Sequence, residues 1–200
     1  MAAQQNGYAI VPHGSYDEWR NYALNHGVNV DYSYGNQCWD ICALLWYQYG
    51  LDLATGPHYS AYECWTVSRA HNARGPFVAI SNVAEIRRGD CLVFNKSGRS
   101  RTGHICFADE NYHGSTITIL GQNQGQGIGP GTPSIVIAMN LGTFIGAFRN
   151  TNWSSGPGPT PPTPPTPPTP PGPQPGPTPD LIKDVNFPWV LYSRKLRNML

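Results

Sequence analysis

Charged side chains are scarce in this 200-residue chain, and the few present almost cancel. Lys and Arg number 13 and Asp and Glu number 12, so 12% of the residues are charged and the formal net charge is +1. A nucleic-acid-binding domain usually carries a basic face or a strongly basic balance. The composition therefore predicts no nucleic-acid partner, and a neutral or polymeric substrate is easier to accommodate.

Long apolar runs and paired cysteines are also missing. No stretch approaches the roughly 18 to 20 apolar residues of a membrane span, and residues 1–19 lack the basic start and apolar run of a secretory signal. We therefore expect a protein that is made in a cytoplasm. The five cysteines are an odd number without a Cys-x-x-Cys pair. This favours reduced thiols over a disulfide framework or a zinc ribbon.

Proline, in contrast, is concentrated in one segment. Residues 156–179 read GPGPTPPTPPTPPTPPGPQPGPTP, a composition that cannot form regular hydrogen-bonded structure or a core. As polyproline II, about 24 residues at roughly 3.1 Å each would separate the two ends by on the order of 70 Å. We therefore predict a domain over residues 1–153, a stiff linker over 154–179 and a short aromatic and basic tail over 180–200.

The segments before the linker predict helices first and strands afterwards. A capping box, Ser15 to Glu18, predicts a helix over 15–26, and apolar residues on one face predict a second over 37–49. A third helix is predicted over 59–72. From Gly89 onward the apolar runs are short: CLVF, HICFA, STITIL, SIVIAM and TFIGAF. This order predicts an α+β domain in which N-terminal helices pack on an antiparallel sheet.

Cys38 stands where the second helix begins, which is a favourable position for a thiolate. The free N–H groups and partial positive charge of a helix N-terminus lower the pKa of a thiol and can hold an oxyanion. A buried core cysteine is the alternative interpretation. A nucleophilic cysteine needs a base, and His104 follows a glycine at the start of a predicted strand. Asn123, after the next strand, could orient the imidazole, although a turn residue is the commoner role of such an Asn.

These residues lie in segments that resemble a known family. QCWD begins a helix, and RRGDCLVF, TGHICFA, ITILGQN and GAFRN follow. In order and spacing they are similar to the CHAP domain, the cysteine, histidine-dependent amidohydrolase/peptidase family of phage lysins and bacterial wall enzymes. The resemblance covers residues 15–150. It implies a papain-like fold, related to NlpC/P60, with Cys38 as nucleophile and His104 as general base.

The sequence departs from the family pattern at one position. Many members have an acidic residue two positions before the Asn, and Gly121 stands there in this chain. Asn123 must then orient His104 without a carboxylate, alone or with Gln122 or Gln124. An uncharged orienting group stabilises an imidazolium less well than a carboxylate does.

The loop before Cys38, NVDYSYGNQCWD, has the spacing of a calcium loop. Positions 1, 3, 5, 7 and 12 are Asn29, Asp31, Ser33, Gly35 and Asp40. Position 6 lacks the usual glycine and position 12 is Asp rather than Glu, so a modest affinity is expected. The resemblance supports a bound Ca²⁺ here, because some phage CHAP domains carry one at this place. A turn held by side-chain bonds to backbone amides is the alternative.

The resemblance implies a phage endolysin that hydrolyses amide bonds in bacterial peptidoglycan, in walls of Gram-positive type. It would act as an N-acetylmuramoyl-L-alanine amidase or a peptidoglycan endopeptidase, reaching the wall through holin-type release or virion delivery. A virion-associated hydrolase used in phage entry and a non-catalytic wall-binding module remain alternatives, as does an intracellular cysteine protease. The tail over 180–200 is too short for a domain. It would dock on the wall, a membrane, a virion protein or a second copy of the chain, or be a disordered remnant.

Overall fold

The computed structural model describes residues 13–24, 26–98, 100–124 and 133–153, together with the backbone of two short strands nearer the N-terminus. The predicted linker over 154–179 and the predicted tail over 180–200 lie outside the described residues. No helix within the described ranges is long and apolar enough to cross a membrane.

The described chain contains four helices followed for the most part by strands. The helices are α1 (Tyr16–Ala23), α2 (Cys38–Gln48), α3 (Glu63–Thr66) and α4 (Arg69–Asn72). The strands are β1 (Ala3–Gln5), β2 (Tyr8–Ile10), β3 (Phe77–Ile80), β4 (Cys91–Phe94), β5 (His104–Ala108), β6 (Thr116–Gly121), β7 (Ile135–Asn140) and β8 (Phe144–Asn150). Strands β1 and β2 pair with each other, and β3 to β8 form one antiparallel sheet in the order β3-β8-β4-β5-β6-β7.

Helix α2 is the centre of the core. Residues 41–46 are each at most 1% exposed, so the helix is buried on nearly every side, as a helix with apolar residues all round must be. Trp46 stacks on Phe77 of β3, with ring centroids 3.9 Å apart. Helix α2, which carries Cys38 at its first residue, is thereby held against the sheet.

The sheet is covered on both faces. In β5, Ile105 and Phe107 face the layer that contains α2, whereas Cys106 and Ala108 face a second apolar cluster. Successive strand residues point to opposite faces, so a strand that is buried on both sides has no polar alternation. This explains why CLVF and HICFA are continuous apolar runs.

The structure confirms the predicted fold class, helices packed on an antiparallel sheet, and refines its elements. Ser15 caps α1 through a bond from the Glu18 N–H, 3.2 Å, and α2 begins at Cys38 as predicted. The third predicted helix, over 59–72, is wrong as one element. It consists of α3 and α4, separated near Ser68, whose hydroxyl donates to the Thr55 carbonyl at 2.6 Å. Strand β3 was not predicted, because only its two ends are buried.

Candidate active site

Antiparallel pairing brings the start of β5 and the end of β6 to the same edge of the sheet. Phe107 pairs with Leu120 and Ala108 with Ile119. Continued toward that edge, this register places His104 opposite Asn123. The N-terminus of α2 lies at the same edge, because the Gln122 amide donates to the Gln37 carbonyl at 2.9 Å.

Cys38 differs from the other four cysteines in its exposure. It is partly exposed at the N-terminus of α2, whereas Cys42, Cys64, Cys91 and Cys106 are buried. Burial of the sulfur raises the pKa of the Cys38 thiol to about 11, and hydrogen bonds from the backbone N–H groups of Ile105 and Trp39 partly oppose this. Cys38 is therefore a neutral thiol at rest. Its sulfur accepts from the backbone N–H of Ile105, the residue that follows His104.

His104 is held at the first position of β5 by the glycine before it. Gly103 has φ +71°, and a Cβ there would lie 2.5 Å from the carbonyl oxygen of Phe94 and 2.8 Å from Cβ of Tyr62. A side chain at position 103 would be strained in its backbone and would also collide with backbone. The turn that directs His104 into the site thus depends on glycine.

The imidazole of His104 contacts Gln124. His104 Nε2 and Gln124 Oε1 are 3.0 Å apart. An amide oxygen only accepts hydrogen bonds, so Nε2 carries the ring proton and Nδ1 keeps its lone pair. Burial lowers the pKa of His104 to about 4, and the bond to Gln124 opposes that shift. His104 is therefore a neutral imidazole at neutral pH, able to accept a proton at Nδ1.

Asn123, predicted to orient His104, instead lies against the loop before α2. Its Nδ2 donates to Gln37 Oε1 at 2.9 Å, and Gln37 Nε2 donates in turn to the Tyr34 carbonyl at 2.6 Å. Asn123 has φ +52°, a left-handed conformation that Asn adopts more readily than most residues. The chain bends here after β6, and the next side chain, Gln124, contacts His104.

Gln122 has a structural role. Its side chain is fully buried, accepts from the Val28 N–H at 2.5 Å and donates to the Val28 carbonyl at 2.8 Å. It thereby joins the end of β6 to the segment that leads into the loop before Cys38. Of the two glutamines proposed to assist Asn123, Gln124 is the one in contact with His104.

These side chains line one open cleft with a volume of about 630 Å³. Its wall is formed by the start of α2, the β4–β5 hairpin, the end of β6 and part of β7. The described residues that line it are Gln37, Cys38, Ser97, Gly98, Ser100, Arg101, Thr102, Gly103, His104, Asn123, Gln124, Ile137 and Met139. No carboxylate occurs among them, so the described lining contains no acidic group to pair with His104.

The loop predicted to bind calcium is folded around Asp40. One carboxylate oxygen of Asp40 accepts from the Val30 N–H at 2.9 Å and the other from the Gln37 N–H at 2.7 Å. These bonds cap α2 and close the loop. The Asp31 carboxylate accepts from the Ser33 N–H at 2.8 Å. This is the turn that was considered as the alternative to an ion site.

The charges in this loop nevertheless suit a cation. Burial raises the pKa of Asp40 to about 7, with a further contribution from Asp31, and neither carboxylate has a Lys or Arg partner among the described ion pairs. Each carboxylate oxygen retains a second lone pair after accepting one N–H bond. Asn29, Ser33 and Gly35 lie in the same loop, but the described residues contain no cluster of three His, Cys, Asp or Glu able to hold a metal. The calcium site stays a prediction.

The aromatic and basic residues near the site divide into core and surface. Trp65 is 9% exposed and belongs to the packed interior. Trp39 is half-buried, packs against the core and donates to the Leu53 carbonyl at 3.1 Å. Tyr32 and Tyr34 are 71% and 78% exposed, with φ +58° and +59°. In the β4–β5 hairpin, Arg101 lines the cleft, and Arg99 lies outside the described residues.

A family model described as the CHAP domain matches residues 27–123. Over this region the chain is similar to the CHAP domain family. The matched region extends from the loop before Cys38 through Asn123, so it contains the predicted nucleophile, the predicted base and the edge where they meet. No curated protein matched the chain.

The comparison with solved structures found similar chains. A wild-type endolysin, LysIME-EF1, is 20% identical, with a TM-score of 0.58, over 70% of this chain and 65% of that protein. Two structures of Ly7917, one with the hydrolysis product of MDP, are each 16% identical over 68% of this chain and 63% of that protein, with TM-scores of 0.46 and 0.45. The likeness to LysIME-EF1 confirms the α+β, papain-like fold. The chain spans less than two thirds of these proteins' length.

Proposed function

We propose that this domain hydrolyses amide bonds of bacterial peptidoglycan with Cys38 as nucleophile, in the role of a phage endolysin. The observation that carries the proposal is the meeting of a partly exposed cysteine at a helix N-terminus with a neutral histidine in one open cleft. Nucleophile, base and a group that orients the base are the three parts of cysteine hydrolase chemistry. The similarity to the CHAP domain family and the likeness to an endolysin support peptidoglycan as the substrate.

Acylation begins with a proton transfer between neutral groups. The Cys38 thiol gives its proton to Nδ1 of His104, and the thiolate attacks the carbonyl carbon of the substrate amide. His104 becomes an imidazolium whose Nε2–H is still held by Gln124. The C–N bond then breaks as the imidazolium returns the proton to the leaving nitrogen, which leaves a thioester on Cys38 and a neutral base.

The negative charge that develops on the substrate oxygen meets the start of α2. The first N–H groups of a helix have no partner within the helix and carry its partial positive charge, and the backbone N–H of Cys38 is one of them. Hydrolysis of the thioester repeats the sequence with water. His104 takes a proton from the water, and the oxygen attacks the thioester carbon. The C–S bond then breaks as the imidazolium returns that proton to the sulfur, and the carboxylic acid product loses its own proton to solvent.

The cleft suits an extended, uncharged or anionic substrate. It is open to solvent, its wall includes hydroxyl and amide side chains as well as the apolar Ile137 and Met139, and Arg101 is a cationic side chain on that wall. A guanidinium recognises carboxylates through paired N–H donors. Peptidoglycan stem peptides offer amide bonds flanked by carboxylates, so Arg101 would bind the substrate beside the bond that is cut.

The same proposal includes a structural calcium ion in the loop before Cys38. Asp31 and Asp40 would hold the ion, with the side chains of Asn29 and Ser33 and the carbonyl of Gly35 as further oxygen ligands. A bound cation would neutralise two neighbouring carboxylates of which one is buried. Because Asp40 also accepts from the Gln37 N–H, fixing its position would fix the start of α2 and with it Cys38.

The test is mass spectrometry of fragments released from purified Gram-positive walls by the full chain and by Cys38→Ala. We expect new amino and carboxyl termini with the wild type and none with Cys38→Ala, and the termini identify the bond. His104→Ala should also abolish release. His113→Ala is the matched control, since His113 is 59% exposed and pairs with Glu110. Equal binding to walls with no release by the wild type would instead support a wall-binding module.

A further inference from the structure

The contact between His104 and Gln124 lies beside a position without a side chain, Gly121, on the adjacent strand β6. A Cβ built on Gly121 would lie 2.6 Å from Gln124 Nε2 and 2.9 Å from Cβ of Cys106. The amide of Gln124 therefore occupies the space that a side chain at position 121 would take. Gly121 is paired with Ile135 in the regular part of β6, where its backbone does not itself require glycine.

Among the described residues, the side chain of Gln124 makes a hydrogen bond through its oxygen but not through its nitrogen. The residue is 8% exposed, its Oε1 lies on His104, and its Nε2 is buried without a hydrogen-bond partner among the described residues. Leaving a buried amide nitrogen unpaired costs stability. Gln122, two residues earlier, bonds through both ends of its amide.

We propose that Gln124 is the positioning residue for His104, fixing its Nε2–H tautomer, and that the bare backbone of Gly121 provides the space for it. The inference deepens the proposed function, on which it rests for the role of His104 as a base. It assigns to Gln124 the part that the sequence pattern suggested for Asn123, which bonds Gln37 instead.

Because Gln124 is an amide and not a carboxylate, the group that orients His104 is neutral, which has a measurable consequence. The titratable groups lining the cleft around His104 are Cys38 from α2 and Arg101 from the β4–β5 hairpin, while Gln37, Asn123 and Gln124 are uncharged. Nothing acidic among them stabilises an imidazolium, which agrees with the lowered pKa of His104, about 4. A carboxylate at position 124 would favour the charged ring and raise that pKa by about 1 to 3 units.

The experiment follows the side-chain ¹⁵N and ¹³C signals of His104 by NMR in the full chain as pH is varied, with His104→Ala to assign them. In the wild type we expect the Nε2–H tautomer and titration near pH 4. Gln124→Glu should move the titration up by about 1 to 3 units. Gln124→Ala should give a mixture of the two neutral tautomers. Circular dichroism at each pH confirms that every variant is folded.

Gly121→Ala tests the second half of the proposal. Its methyl group would displace the Gln124 amide, so His104 should show the same tautomer mixture as in Gln124→Ala, and the double variant should show no further change. Gln48→Glu is the matched control, because Gln48 is 4% exposed and its Oε1 lies 3.2 Å from a ring nitrogen of another histidine, His13. It should leave the signals of His104 unchanged.

Unchanged tautomer and titration of His104 in Gln124→Ala and Gln124→Glu would overturn the proposal, and so would an unchanged tautomer in Gly121→Ala. The NMR result does not depend on the substrate, so it separates this inference from the proposed hydrolase. Release of wall fragments forms the second arm. Gln124→Ala should lower kcat about tenfold, the effect of one hydrogen bond, and Gln124→Glu should move the acid limb of the activity profile to higher pH together with the NMR titration.

Discussion

Replacement of Gly103 by alanine should destabilise the domain more than replacement of other loop glycines, because two costs combine at this position. The residue has φ +71°, and a left-handed backbone costs an L residue about 1 to 2 kcal/mol. The new methyl group would also lie 2.5 Å from the Phe94 carbonyl oxygen, a backbone atom that cannot move aside. Overpacking of this kind costs about 1 to 3 kcal/mol.

The sum, about 2 to 5 kcal/mol, corresponds to a fall in Tm of about 4 to 20 °C for a domain of this size. Two other glycines separate the contributions. Gly50→Ala carries the backbone cost alone, since Gly50 has φ +66° and open space around it, and Gly98→Ala carries neither cost. Thermal and urea unfolding, followed by circular dichroism, should rank the losses as Gly103→Ala, then Gly50→Ala, then Gly98→Ala.

Release of wall fragments provides a second measurement on the same three glycine variants. Gly103 directly precedes His104, so any shift that accommodates the methyl group moves the base, and fragment release should fall in Gly103→Ala even at temperatures where the variant is folded. A loss in Gly103→Ala no larger than that in Gly50→Ala would refute the reasoning, because it would mean that the Phe94 carbonyl does not restrict position 103.

Two further predictions concern charge. Arg149→Met should cost about 3 to 5 kcal/mol in urea unfolding, because it leaves the carboxylate of Asp90, which is 1% exposed, without its bonds from Arg149 at 2.8 and 2.9 Å. Arg74→Met should cost less than about 1 kcal/mol, because its partner Asp52 is 59% exposed. Equal losses in the two variants would contradict the burial argument. Calcium should raise the Tm of the wild type and not that of Asp31→Ala, which lacks one of the proposed ligands. If calcium leaves the Tm of the wild type unchanged, the ion is no longer part of the proposal.

Much of the fold followed from local sequence. The S-x-x-E capping box located the start of α1, and the apolar pattern after Gln37 located α2 almost to the residue. These signals are local, since a cap and a helix face involve residues within a few positions of one another. The strands over 91–94 and 104–108 were found because both faces of the sheet are covered, which makes each strand a continuous apolar run. Strand β3 and the break between α3 and α4 depend on long-range packing and were not found.

Within the site, the sequence by itself determined which residue types were present and approximately where. Cys38 at a helix start, His104 after a glycine and a polar run after β6 follow from helix and strand signals alone. Only the tertiary structure decided which amide of that run reaches the imidazole. The left-handed backbone of Asn123 and the empty space at Gly121 turn Gln124 back onto His104 and leave Asn123 against Gln37. Such a choice depends on side-chain volume across the sheet, which no spacing along the chain records.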